Sequence, residues 1–334
     1  MINIGVIGCG YWGPNLIRNF MENTKSAVVA VCDKNPEMLK AMKQKFDIQK
    51  TVTDYREMIN DPEIQAVVIS TPASTHYQIA KDCINAGKDI LVEKPLTTNS
   101  KECEELTALA DKKGVILMVG HVYLFHPAVR KIKELIDSGA LGKVSYIKSF
   151  RENPGPIRGD VNCVWDLAPH DIAMVNYFMG SLPRKVQAVG SCYLKKGVHD
   201  MASVKMGYDG GVDVYIRSNW MNPISERLTL VFGDKKSVLF NDRSNEKLTL
   251  FDTVIQKEER TGGEYHVYQN PIYHGSVQYP RTDGTEPLKL QTEHFLDCVK
   301  TRAKPLTDGI NGAGVVRVLE AIDRSLKENT EVEL

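Results

Sequence analysis

The sequence predicts an α/β chain: a doubly wound parallel sheet, followed by an α+β part built on an open, largely antiparallel sheet. Three observations predict it. Short apolar runs alternate with helical periodicity as far as residue 121. From residue 122 onward β-rich segments follow one another with turn signals between them. A glycine-rich turn, Gly8-Cys9-Gly10-Tyr11-Trp12-Gly13, comes directly after the first apolar run. Domains of 1–121 and 122–334 are therefore expected, and 334 residues suffice for two cores.

The first part reads as strands at Ile4–Ile7, Val28–Cys32, Ala66–Ser70, Ile90–Val92 and Val115–Val119. Helical patterns lie between them at Asn15–Met21, Pro36–Phe46, His76–Ala86 and Ser100–Lys112, with Gly87 and Gly114 just past two of their ends. Uninterrupted apolar strands separated by helices imply a parallel sheet covered on both faces. Right-handed crossovers then place a ligand crevice at the carboxyl ends of the strands. Gly8, Ser70-Thr71-Pro72, Glu93-Lys94-Pro95 and Gly120-His121 all fall at such ends.

In the second part a helix at Pro127–Asp137 precedes a strand at Val144–Phe150 and a helix at Pro169–Met179. Strands are expected at Val186–Tyr193, Ser203–Tyr208, Val212–Asn219, Arg227–Phe232, Ser237–Phe240 and Lys247–Phe251. Asp209-Gly210-Gly211 and Gly233-Asp234 suggest antiparallel hairpins. Residues 257–287 read as an irregular arm, and helices at Leu288–Arg302 and Asn311–Asn329 close the chain.

Forty-two basic and 42 acidic residues balance, so no cationic surplus favours a nucleic-acid backbone. No apolar run reaches the ~20 residues that span a bilayer, and no leader pattern is visible. Seven cysteines, without a C-x-x-C pair, suit reduced thiols in a cytoplasmic protein. The histidines lack zinc-ligand spacing, so no metal is expected.

The strand–glycine turn–helix order is a Rossmann-type dinucleotide signature. Gly8, Gly10 and Gly13 let a backbone approach a pyrophosphate, which the next helix's N-terminus attracts. Asp33, about 20 residues on, suits the adenosine ribose hydroxyls and would repel a 2′-phosphate; its other reading is a turn residue ahead of Pro36. NAD is therefore favoured, with Lys34 the cation that could soften discrimination against NADP. Tyr11 and Trp12 either cover the pyrophosphate or pack beneath it. Ser70, Thr71 and Pro72 line the next strand end; His76 either joins them or lies on a helix surface. Glu93 and Lys94 follow the strand nearest the expected nicotinamide, and His121 ends its neighbour, serving either a structural hydrogen bond or the reaction. A solvated Glu93–Lys94 ion pair is the plainer alternative, and His126, ahead of a proline, reads as structural.

GVIGCGYWG, Ser70–His76, Val92-Glu93-Lys94-Pro95 and Asp166-Leu167-Ala168-Pro169-His170 together resemble the glucose–fructose oxidoreductase, inositol dehydrogenase and MocA-like family along essentially the whole chain. Gly120–Ile136 and the stretch from Arg151 to Asp171 are more narrowly similar to nucleotide-sugar 3-dehydrogenases acting on UDP-N-acetylglucosamine or its uronic acid. The resemblance implies an NAD(P)-dependent sugar dehydrogenase in which Lys94 and His170 do the chemistry. The residue types suit it: a histidine titrates near working pH and can serve as general base, and an ammonium stabilises developing alkoxide. Asp166, four residues before His170, either orients the imidazole or caps the following helix. Arg151, Asn153, Arg158 and Asn162 crowd the loop ahead of this segment and suit sugar hydroxyls, an N-acetyl group, a carboxylate or phosphates, if the loop is not merely solvated. The expected product is a 3-keto nucleotide sugar. A dehydrogenase of free sugars or inositols is the alternative, and a non-catalytic dinucleotide-binding sensor is the reading from another class. An open sheet exposes a face that self-association commonly covers, so a homodimer or homotetramer is expected.

Overall fold

The computed structural model describes residues 1–155, 157–158, 161–255 and 272–334. They form two compact units, Met1–His126 with Thr285–Glu320, and Pro127–Gly284 with Ala321–Leu334. The first unit thus takes in a late segment that lies beyond residue 121, where the sequence reading drew its boundary.

The first 126 residues run β1 (Ile2–Ile7), α1 (Gly13–Glu22), β2 (Ser26–Cys32), α2 (Pro36–Phe46), β3 (Lys50–Val52), α3 (Tyr55–Ile59), β4 (Ala66–Ile69), α4 (His76–Asn85), β5 (Asp89–Val92), α5 (Ser100–Lys113) and β6 (Leu117–Val119). The six strands are parallel in the order β3-β2-β1-β4-β5-β6. The order reverses between β1 and β4, the switch point at which such sheets open a ligand crevice. Strands β4, β5 and β6 are buried at every position, as two-sided coverage requires. The helix ends are written in the sequence. Asn35, Asp54 and Asn99 accept first-turn N–H groups of α2, α3 and α5, and Gly114 stops α5 at φ 65°. Two short elements, β3 and α3, escape sequence reading because three and five residues are too few to show a period.

The chain continues through α6 (Pro127–Asp137), β7 (Val144–Glu152), α7 (Cys163–Leu167), α8 (Pro169–Met179), β8 (Lys185–Ser191), β9 (Met201–Tyr208), β10 (Val212–Asn219), β11 (Glu226–Gly233), β12 (Ser237–Asn241), β13 (Leu248–Ile255), β14 (Ile272–Gln278), α9 (Pro287–Thr301), α10 (Gly309–Glu328) and β15 (Val332–Glu333). In the first unit α9 packs on α1, with Phe295 edge-on to Phe20 at 6.1 Å between ring centroids, a pair that adds about 0.5–1.5 kcal/mol beyond burial.

The second unit is built on nine strands in the order β14-β13-β12-β11-β7-β10-β9-β8-β15. Every pairing is antiparallel except β7 with β10. Alternation is regular: Ala202, Val204, Met206 and Tyr208 of β9 are buried, as are Val212, Val214, Ile216 and Ser218 of β10. The β9–β10 connection needs two left-handed residues, which Gly210 and Gly211 supply at φ 77° and 78°. The sequence expectation of an arm over 257–287 is corrected at its end, where β14 pairs with β13; residues 256–271 lie outside the described residues.

Candidate active site

In the first unit the four predicted segments do lie at the carboxyl ends of neighbouring strands β1, β4, β5 and β6. The turn after β1 is tightly tied. Gly8 N–H donates to Cys32 O at 2.8 Å, the Ser70 hydroxyl donates to Gly8 O at 2.7 Å, and Cys9 N–H donates to Asp33 Oδ2 at 2.7 Å. Gly8 sits at φ 96°, where a Cβ would come within 2.6 Å of Ser70 O, and a Cβ on Gly13 would run into Gly8 O. A Cβ on Gly10 would instead meet nothing within 4 Å. Two glycines fold the turn and the third leaves its outer side open, and α1 begins there without a side-chain cap. Asp33 is oriented by Cys9 N–H and Asn35 N–H, the latter at 2.8 Å, so its carboxylate is fixed where a ribose is expected. The residues present fit NAD. Tyr11 is 95% exposed; Lys34 is exposed beside Asp33.

His76 does not lie on a helix surface. It is buried, with Nδ1 2.8 Å from Pro95 O and Nε2 2.8 Å from Thr71 O. The ring lies between the turn after β4 and the turn after β5; burial lowers its pKa, and a neutral imidazole donates to one of these two carbonyls. Pro72 opens a short helical turn, accepting Thr75 N–H at 2.9 Å. Lys94 is half-buried, and its peptide to Pro95 is cis.

Glu93 is not a solvated partner of Lys94. Its Oε2 accepts Lys94 N–H at 3.3 Å, and burial raises its pKa to about 7. Trp12 is half-buried while Tyr11 projects outward. His121 is 1% exposed, and its two buried ring nitrogens have no hydrogen-bond partner among the described residues. Burial first, and then the Lys94 ammonium, lowers its pKa to about 3. His121 is thus a neutral imidazole at working pH.

The second unit holds Asp166 and His170. Asp166 does not cap α8, whose N-cap position is Ala168 with no side-chain bond; Asn162 caps α7, its side chain accepting Val164 N–H at 3.0 Å and Trp165 N–H at 3.1 Å. Ala168 is helical and joins α7 to α8, with Ala168 N–H donating to Val164 O and Ile172 N–H to Ala168 O. Asp166 and His170 are therefore four positions apart along a nearly continuous helical path, and His170 stands in the first turn of α8. Asp166 accepts Trp220 Nε1–H at 3.0 Å and an Arg158 N–H at 3.3 Å.

Of the expected substrate contacts, Arg151 and Asn162 have structural employment. Arg151 forms a buried ion pair with Asp171, Nε to Oδ2 at 2.7 Å. The Ser149 hydroxyl donates to Asp171 Oδ1 at 2.6 Å and lies 2.7 Å from Thr229 Oγ1. Asn162 donates to Asp323 Oδ1 at 2.8 Å, and the Trp165 indole donates to Asp323 Oδ2 at 2.5 Å. Asn153 is half-buried, and its N–H donates to Asn219 O at 3.0 Å. Arg158, its side chain 38% exposed, remains the more accessible guanidinium. Sequence reading missed Asp171, Trp220 and Asp323. Asp171 adjoins His170 and was within reach; nothing in the local pattern marks the other two.

Cys9 and Cys32 are buried beside the dinucleotide turn, and burial pushes both thiols up to about 12. All seven cysteines are free, and only Cys192 is exposed. No helix among the described residues is long and apolar enough to cross a membrane.

This arrangement defines an NAD-binding domain joined to a partner unit that carries a helical Asp/His pair, the build of a two-part dehydrogenase. Residues 2–121 match the oxidoreductase family with an NAD-binding Rossmann fold, and residues 129–239 match the GFO/IDH/MocA C-terminal domain. The chain belongs to the GFO/IDH/MocA family and is an NAD-dependent oxidoreductase. It is 28% identical to a myo-inositol 2-dehydrogenase of Thermotoga maritima, over 100% of this chain and 98% of that protein. A crystal structure from Magnetospirillum magnetotacticum MS-1 shares 30% identity and a TM-score of 0.79, covering 96% of this chain and 99% of that one. A UDP-N-acetylglucosamine 3-dehydrogenase from Acidithiobacillus ferrooxidans shares the fold, with a TM-score of 0.83 and 21% identity over 98% of each chain.

Proposed function

We propose that the protein oxidises a secondary hydroxyl, C3, of a UDP-linked N-acetylhexosamine or its uronic acid, giving a 3-keto nucleotide sugar. The observation that supports the chemistry is that one chain carries both an NAD-binding turn system with Lys94 at the end of β5, in the first unit, and Asp166 and His170 one helical turn apart at the α7–α8 junction, in the second. Bound NAD supplies the hydride acceptor. His170 takes the hydroxyl proton as general base, and the Lys94 ammonium stabilises the oxygen as negative charge develops on it. Asp166, held by Trp220 and Arg158, fixes the electrostatics of the helix start that carries His170. Arg158 is the side chain we assign to an anionic substrate group. The narrower sequence likeness over Gly120–Ile136 and Arg151–Asp171 supports a nucleotide sugar. The full-length likeness to a myo-inositol 2-dehydrogenase favours the second reading, a free inositol or sugar. In either case the open sheet of 122–334 is the surface we assign to a homodimer or homotetramer.

The test is NADH formation, followed by absorbance, with NAD and separately UDP-N-acetylglucosamine, its uronate, glucose and myo-inositol. Turnover confined to the UDP-sugars supports the first reading. Turnover confined to glucose or myo-inositol replaces it with the second, and NADH binding without any turnover returns the protein to the sensor class.

A further inference from the structure

Helix α8 is apolar on almost every side. Pro169, Ile172, Ala173, Met174, Val175 and Phe178 are all buried, so no polar stripe marks which side meets the sheet. Apolar contacts are non-directional and set the rotation of such a helix about its axis only weakly. Its N-terminus does not set it either, because Ala168 stands at the N-cap position without a side-chain bond. Two buried polar side chains supply the direction. The Tyr208 hydroxyl donates to Asn176 Oδ1 at 2.6 Å, tying the later part of α8 to β9. Asp171 ties the first turn to β7.

Asp171 is the third residue of α8, where an acidic side chain can reach back to the N-cap N–H. It turns to the sheet instead. Oδ2 accepts Arg151 Nε–H at 2.7 Å, Oδ1 accepts the Ser149 hydroxyl at 2.6 Å, and a second Arg151 N–H reaches Oδ1 at 3.4 Å. Ser149 lies in turn 2.7 Å from Thr229 Oγ1 of β11. All four side chains belong to buried residues. A buried ion pair adds little net stability over apolar side chains of similar volume, and its best-attested use is to fix register. The place of this pair gives it such a use. Successive helix residues leave the axis about 100° apart, so holding Asp171 on β7 sets the direction in which His170 leaves it.

We infer that Arg151 and Asp171 are positioning residues: the pair sets the rotation of α8 and thereby aims the His170 imidazole. The inference rests on the reading of His170 as general base, and it assigns no substrate contact to either member of the pair.

The experiment compares R151M/D171L, in which apolar side chains replace the pair, with S149A, H170N and the triple variant R151M/D171L/H170N, all in the full chain. R151M/D171L keeps a urea midpoint at or above that of wild type. Its kcat, on the sugar or inositol oxidised in the assay above, falls about tenfold to hundredfold, while KM changes by less than about threefold. The triple variant turns over no more slowly than H170N, because the pair acts through His170. S149A removes one bond to Asp171, leaves the ion pair, and loses roughly threefold in kcat. In protein labelled with carbon-13 at histidine, without substrate, the His170 ring signal is identified among the eight histidines by its absence in H170N. That signal shifts or splits in R151M/D171L. Wild-type kcat or an unmoved His170 signal in R151M/D171L overturns the inference, and so does a further loss of kcat when the pair is replaced in H170N. If R151M/D171L does not fold, wild-type kcat with an unmoved His170 signal in S149A overturns it. Wild-type kcat in H170N overturns the base itself, and the inference with it.

Discussion

Histidines and arginines look alike on the page and differ sharply once buried. His121 shows what desolvation does: its pKa falls from 6.5 to about 3 because neither ring nitrogen can hold a charge cheaply there. Between those values the unfolded chain binds a proton that the folded chain refuses, so stability rises with pH from about 3 to about 6.5 and is lost on acidification. H121F should flatten that slope, measured as urea midpoints at pH 4 and pH 7; an unchanged difference between the two would show that His121 does not titrate on unfolding. Arg151 illustrates the opposite case. Read from sequence it is a substrate contact, and a uronate carboxylate would be its natural partner. In the fold its partner is Asp171, at side-chain exposures of 6% and 1%. R151A should therefore destabilise the protein by about 3–5 kcal/mol and lower activity on UDP-N-acetylglucosamine and its uronate alike. R158A should leave stability within about 1 kcal/mol and raise KM for the uronate more than for the neutral sugar. Equal effects of R158A on both substrates would remove Arg158 from the anion site. Residue types announce chemistry, but a sequence gives no sign of which charged groups will find one another inside.

The helices α2, α6 and α8 carry their boundaries openly: Pro36, Pro127 and Pro169 open them, and Gly180 closes α8 at φ 67°. The long β-alternation of β9 and β10 was equally legible, with its glycine turn between. What could not be read was α7, five residues held by Asn162 and fastened to α10 through Asp323. Asp323 lies 161 positions from Asn162 in sequence, and no local period encodes that distance. Its two bonds come from neutral donors to a carboxylate, worth about 1.5–3 kcal/mol each when charge-assisted. D323A should cost roughly 2–4 kcal/mol and lower kcat more than it raises KM, because the helix start bearing His170 loses its tether. A variant with lowered stability and unchanged kcat would make Asp323 a purely structural residue. At the helix start itself, H170N should reduce kcat/KM by about 10²–10⁴-fold and K94A by roughly 10²–10³-fold, both with NADH affinity near wild type.

At the scale of the whole chain, the two-part organisation was legible because the two parts use different periods. Wholly apolar strands between helices mark the first, and alternating strands between turns mark the second. The placement of Thr285–Glu320 with the first unit was not legible, since the amphipathic pattern of a helix says that it has a buried face and not which unit provides the cover. The second unit's sheet has a face with Tyr146 stacked on Phe232 at 5.1 Å, Arg217 over Phe150 at 4.3 Å, and Tyr215 43% exposed. We expect self-association to cover it. Light scattering at micromolar protein should return the mass of two or four chains of 37.4 kDa, and a mass of one chain contradicts that expectation.

The central claim is that hydride leaves C3 of a UDP-linked N-acetylhexosamine or its uronate. It is tested most directly with UDP-N-acetylglucosamine and its uronate deuterated at C3, incubated with enzyme and NAD, followed by mass spectrometry of the NADH formed. The account predicts NADH carrying one deuterium from at least one of the two. NADH formed without deuterium would assign the reaction to another carbon, and no NADH from either sugar, with NADH produced from myo-inositol, would contradict the nucleotide-sugar reading.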